Sequence, residues 1–144
     1  MKALYTAAGL SALLMASACG TANAVTPDSA NPVHCIAAFT YGHRIISGAK
    51  VPDISLSVQT TARALFEGKK MKANGTFETG KKEGEDFYAA FGKNDDAMLK
   101  LGYECAKRQD TDPEFRAMNA NGVLMSAARK VDPLCQANES CKNR

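Results

Sequence analysis

The chain has 144 residues, 45% hydrophobic and 23% charged, with 18 Lys and Arg against 15 Asp and Glu and a formal charge of +3. That is enough for one ordinary domain and too little for two. The positive charge is sparse and gathers on no single face, so nucleic acid is not an expected partner.

Residues 1–24 read as a cleaved signal peptide. Lys2 supplies the positive start, Ala3 to Met15 the apolar stretch, and Ala22-Asn23-Ala24 the small-x-small pattern that signal peptidase accepts. Cleavage there leaves a chain starting at Val25. The apolar stretch falls short of the roughly 20 residues that span a bilayer, and nothing downstream approaches that length. Ala16-Ser17-Ala18-Cys19-Gly20 looks like a bacterial lipoprotein processing site, which makes lipidation of Cys19 the alternative. The protein is therefore expected to be periplasmic or secreted, or else anchored through Cys19. Residues 25–31 are predicted to be a flexible lead-in, since the surrounding stretch is rich in Ser, Asn, Pro and Thr.

A helical domain is predicted over 32–134. Asn31-Pro32 combines an N-cap with proline at the first helical position, and Cys35, Ile36, Phe39, His43 and Ile46 recur on one face until Ser47-Gly48. Pro52-Asp53 opens a second helix with Ile54, Val58, Thr61, Leu65 and Phe66 in helical register; Gly68 and Asn74-Gly75 are its stop signals, and its end is open between them, since Lys69 to Lys72 could continue it as a solvated last turn. From Asn74 to Gly84 the composition turns to Gly, Thr, Lys and Glu, which predicts a loop or marginal hairpin. Two short helices are expected next. One begins at Glu85-Asp86 and carries Phe87, Tyr88 and Phe91; the other presents Met98, Leu101 and Cys105 inward and ends near Arg108. Asp112-Pro113 starts a last helix, kinked at Asn121-Gly122. Regular structure is expected to stop at Val131-Asp132-Pro133, with 135–144 a polar tail. No stretch alternates long enough for a sheet. The predicted architecture is an all-α bundle of about five helices.

Without Cys19, four cysteines remain, an even number in an exported chain, which suggests two disulfides. Three connectivities exist. Cys135 and Cys141 are near enough in sequence for a local bridge pinning the tail, which would leave Cys35 to join Cys105. No C-x-x-C, C-x-x-C-H, or Cys and His set at metal-ligand spacing occurs, so no cofactor or metal is expected.

Glycine phosphate loops, nucleophile elbows and zinc-protease helices are likewise missing, and the clustered carboxylates suit helix starts. Residues that could still meet a ligand or partner are His43 on the apolar stripe, an apolar space near Phe66, Phe87 and Phe91, and a basic surface from Lys69, Lys70, Lys81 and Lys82. The leading expectation is a non-catalytic interaction module of the inhibitor, immunity or accessory type acting on an envelope protein. A small-molecule carrier with an inter-helix pocket and a periplasmic stress chaperone are the alternatives. An enzyme would need His43 and a folded-in carboxylate at hydrogen-bond distance in an open cleft.

Overall fold

A computed structural model describes residues 25–143. The signal segment and Cys19 lie outside them. The described residues form eight helices and no strand: α1 (Pro32–Ser47), α2 (Ile54–Ala73), α3 (Phe77–Phe91), α4 (Asp95–Thr111), α5 (Pro113–Ala120), α6 (Val123–Val131), α7 (Pro133–Gln136) and α8 (Glu139–Lys142). The all-α class holds, with three more helices than the five expected.

Six of the eight start on an Asn or Asp whose side chain accepts a hydrogen bond from a first-turn N–H: Asn31, Asp53, Asn94, Asp112, Asp132 and Asn138. Each such cap stabilises its helix by about 1 kcal/mol. Proline at the first position of α1, α5 and α7 fixes φ where no intrahelical N–H is needed. Gly122, with φ +69°, separates α5 from α6 at the break the sequence marks.

The segment from Asn74 to Gly84 corrects the prediction. Only Asn74 to Thr76 form a turn, with Gly75 at φ +69°; α3 then runs unbroken through Gly80, Gly84 and Glu85-Asp86. Gly80 and Gly84 are there for proximity. A Cβ built on Gly80 would lie 2.8 Å from Val33 Cγ2 and 2.2 Å from Met71 Cε, and one on Gly84 would lie 3.2 Å from Val33 Cγ1. Missing side chains thus let the α3 backbone approach α1. The methionine tip can swing aside, but the stiff Val33 cannot. Gly80→Ala is expected to destabilise by about 1–3 kcal/mol through overpacking, despite alanine's better helix propensity. Gly102→Ala meets only ordinary contacts at 3.9 and 4.0 Å from Ala38, so it is expected to be neutral or mildly stabilising, and urea titration of the two variants checks the contrast.

The C-terminal segment also differs from expectation. Cys135 is fully buried, and α7 and α8 are single helical turns where an irregular tail was predicted. Buried sulfur and two side-chain caps hold them.

Apolar side chains gather in two clusters. The first joins α1, α3 and α4 through Cys35, Ala38, Phe39, Tyr41, Phe87, Met98, Leu101 and Cys105. The second joins α2, α5, α6 and α7 through Val58, Ala62, Phe66, Phe115, Leu124, Ala128 and Cys135. Disulfides link Cys35 to Cys105 in the first cluster and Cys135 to Cys141 at the second. Such bridges belong to an oxidising compartment. No helix among the described residues is long and apolar enough to cross a membrane.

Polar networks fasten the helices beside these clusters. Glu67 of α2 is fully buried and accepts hydrogen bonds from Arg108 and Gln109 of α4, while Arg63 donates to Gln109 and Asp110. Asp132, also fully buried, accepts from the hydroxyls of Ser57 and Thr61 at 2.7 Å each and from the Cys135 N–H at 2.9 Å.

Candidate functional site

The close approach of α3 to α1 leaves an apolar groove of about 720 Å³ along one side of the pair. One wall is α1, with Val33, Ile36, Ala37 and Thr40; the other is α3, with Phe77, Gly80, Gly84, Tyr88 and Ala89, and Met71 of α2 enters beside Gly80. The wall follows α3 from Phe77 to Ala89, about 18 Å at the helical rise. The two aromatics at its ends are each covered by a cation: Lys72 lies 5.1 Å from the Phe77 ring, and Arg44 lies 5.6 Å from the Tyr88 ring while donating to its hydroxyl. Charged side chains lining the groove are confined to α3, at Glu78, Lys81 and Glu85.

A carboxylate and a histidine join the two helices. Glu83 accepts a hydrogen bond from Asn31 Nδ2 at 2.6 Å and lies 3.6 Å from His34 Nε2. The His34 ring stacks on Phe87 at 4.0 Å, and its Nδ1 accepts the Asp28 N–H at 3.2 Å. Burial lowers the pKa of His34, against the opposing pull of Glu83 and Asp28.

This has a consequence for acid stability. Between about 6.5 and the lowered folded value the unfolded chain binds the proton more readily, so stability falls as pH drops through that window. A second loss is expected below about pH 4. Burial opposes the charge of Asp132, but the N–H of Cys135, the hydroxyls of Thr61 and Ser57, and His43 hold its pKa below the ordinary value. Asp112 is lowered mainly by the Lys70 hydrogen bond. Carboxylates depressed in this way stabilise above their unfolded pKa and lose that contribution as they protonate. Urea midpoints are therefore expected to fall in two stages, the upper one being smaller in His34→Phe. Equal midpoints from pH 7 to 5 in both proteins would contradict this.

The residues singled out from the sequence are distributed differently. Phe66 packs edge-on against Phe115 in the second cluster, while Phe87 and Phe91 stack in the first, so the three line no common space. The expected lysine surface is largely neutralised: Lys69 pairs with Glu114 at 2.6 Å, Lys70 with Asp112 at 2.6 Å, and Lys82 with Asp86 at 2.9 Å. Lys81 alone of the four lines the groove. Glu85 and Asp86, expected at a helix start, sit inside α3, as does Glu83 from the expected loop. The groove itself was not foreseen, because it exists only once Gly80 and Gly84 lie against Val33.

His43 does meet a carboxylate. Its Nε2 lies 3.2 Å from Asp132 Oδ2, without the alignment of a hydrogen bond, and Ser47 Oγ lies 3.3 Å from Nδ1. The composition suggests a hydrolase triad, but the arrangement does not fit one. Asp132 Oδ2 is engaged by two hydroxyls in the interior, and Ser47 is the last residue of α1. Helix carbonyls point outward there, the wrong polarity for a developing oxyanion. Nor does the groove include these residues. No group of three or more His, Cys, Asp or Glu side chains among the described residues is arranged to hold a metal. Comparison with protein-family models, curated proteins and solved structures found no match.

Proposed function

We propose that this is an exported, non-catalytic interaction protein that holds an amphipathic helix of an envelope partner in the groove between α1 and α3. One observation carries the reading: the groove is an apolar trough, partly open to solvent, whose α3 wall runs about 18 Å. An amphipathic helix needs only one face covered, and three of its turns fit that length. A small ligand is normally enclosed over most of its surface, which an open trough does not achieve. The inhibitor, immunity or accessory type of role follows naturally, since each works by occupying a partner's surface. The groove's volume also lies within the range of small-molecule sites, so a carrier of elongated apolar ligands is the second reading.

Photo-crosslinking in the envelope of the source cells separates the two. A photoreactive residue is placed at Thr40 or Ala89, both exposed on the groove walls, and at Tyr103, exposed on α4 and not among the groove's lining residues. The expected result is one protein adduct from both groove positions and none from Tyr103, with the crosslinked partner peptide lying in an amphipathic helix. No adduct from either groove position, together with an apolar small molecule retained in native mass spectrometry, would replace this reading with the carrier.

A further inference from the structure

We propose that the groove selects its partner helix by charge, and that this helix carries a basic, an acidic and a basic side chain in that order along the flank facing α3. The inference rests on the helix-binding reading above and names the chemistry of its partner. Glu78, Lys81 and Glu85 all line the groove and are all exposed. Their spacing of three and then four residues places them within about 60° of one another around α3, at heights of roughly 0, 4.5 and 10.5 Å. They form one stripe along one lip. None of the three makes an ion pair or hydrogen bond within the described chain.

Their neighbours on the same helix are engaged. Lys82 pairs with Asp86, and Glu83 is held by Asn31 and His34. Across the trough the α1 wall is uncharged, and Arg44 and Lys72 at the ends lie over aromatic rings. Among the described residues, the charges that line the trough are therefore the stripe of acid, base and acid on α3, with Glu85 also in electrostatic reach of Lys82.

An apolar floor accepts many amphipathic helices with little discrimination. Charges at the rim supply the distinction, rewarding a complementary flank and penalising a like-charged one. The spacing also limits the register. A partner running parallel to α3 needs basic, acidic and basic residues at i, i+3 and i+7; an antiparallel one needs them at i, i+4 and i+7. Its flank over α1 needs no charge.

The test uses the oxidised protein and three labelled, stapled helical peptides that share one leucine stripe. Their α3-facing flanks carry Lys-Glu-Lys, Glu-Lys-Glu or three Gln residues at these spacings, and binding is read by fluorescence anisotropy at low and high salt. The Lys-Glu-Lys peptide is expected to bind about tenfold more tightly than Glu-Lys-Glu at low salt, with the gap shrinking as salt screens the rim. The triple variant Glu78→Lys, Lys81→Glu, Glu85→Lys is expected to reverse the order, its fold checked by circular dichroism. Ile36→Glu is expected to weaken all three. Equal binding of the three peptides overturns the charge code and leaves the helix-binding reading intact. Failure of all three to bind overturns both.

Discussion

Replacement of Asp132 by alanine is expected to cost about 3–5 kcal/mol of stability, the loss typical when one member of a buried charged network is removed. The residue sits at a junction. It ends α6, caps α7 and receives hydroxyl hydrogens from two successive turns of α2, at Ser57 and Thr61, while His43 of α1 lies against it. Alanine would strand the Cys135 N–H and the Ser57 hydroxyl in a site with no exposure, and each unpaired buried group costs about 1–3 kcal/mol. Since domains of this kind are stable by about 5–15 kcal/mol, the variant stands near the edge of folding. Urea unfolding followed by far-ultraviolet circular dichroism measures the change. Asp86→Ala, which removes an exposed pair with Lys82, is the control and is expected to shift stability by no more than about 0.5 kcal/mol. Comparable midpoints for the two variants would show that the network contributes nothing special.

Loss of the long disulfide is expected to have an effect of similar size by a different route. Cys35 and Cys105 are separated by 70 residues, and closing a loop of that length in the unfolded chain is worth roughly 4 kcal/mol in the loop-entropy model. The six-residue separation of Cys135 and Cys141 gives roughly 2 kcal/mol by the same model. Both sulfurs of the long bridge are fully buried in the first apolar cluster, so its removal also loosens the contact of α1 with α4. The double variant Cys35→Ala, Cys105→Ala should thus lose more stability than Cys135→Ala, Cys141→Ala. Under titration with reductant the same ranking is expected. A larger loss from the short bridge would mean that the packing of Cys135, and not loop closure, governs the outcome.

Much of the fold was legible because helix starts are written locally. Asn31-Pro32, Asp53, Asn94 and Asp112-Pro113 each combine a cap acceptor with the right following residues, and α1, α2, α4 and α5 begin there. What misled was glycine. Composition does not distinguish a glycine that frees the backbone, such as Gly75, from one that lets two helices touch, such as Gly80. The difference is set by Val33, 47 positions away from Gly80 in sequence. The groove inherits that illegibility, being a product of the contact. Lysines fared similarly: Lys69 and Lys70 look like a free basic surface until α5 brings Glu114 and Asp112 to them. The carboxylate partner of His43 was equally invisible, 89 residues further along the chain.

The two walls of the groove are anchored very unequally. Of its sixteen residues α1 buries seven and is crosslinked to α4, whereas α3 buries only Gly80 and Phe87 of fifteen and starts at Thr76 without a side-chain cap. Backbone amides on α3 should therefore exchange with solvent through local opening, well before the amides of α2, whose exchange waits on cooperative unfolding. On the proposed helix-binding reading, the bundle would offer the partner a firmly buried wall in α1 and a looser one in α3. If the groove takes a partner as proposed, hydrogen exchange is expected to slow along Phe77–Phe91 while the amides around Val58 and Ala62, in the second cluster, stay unchanged.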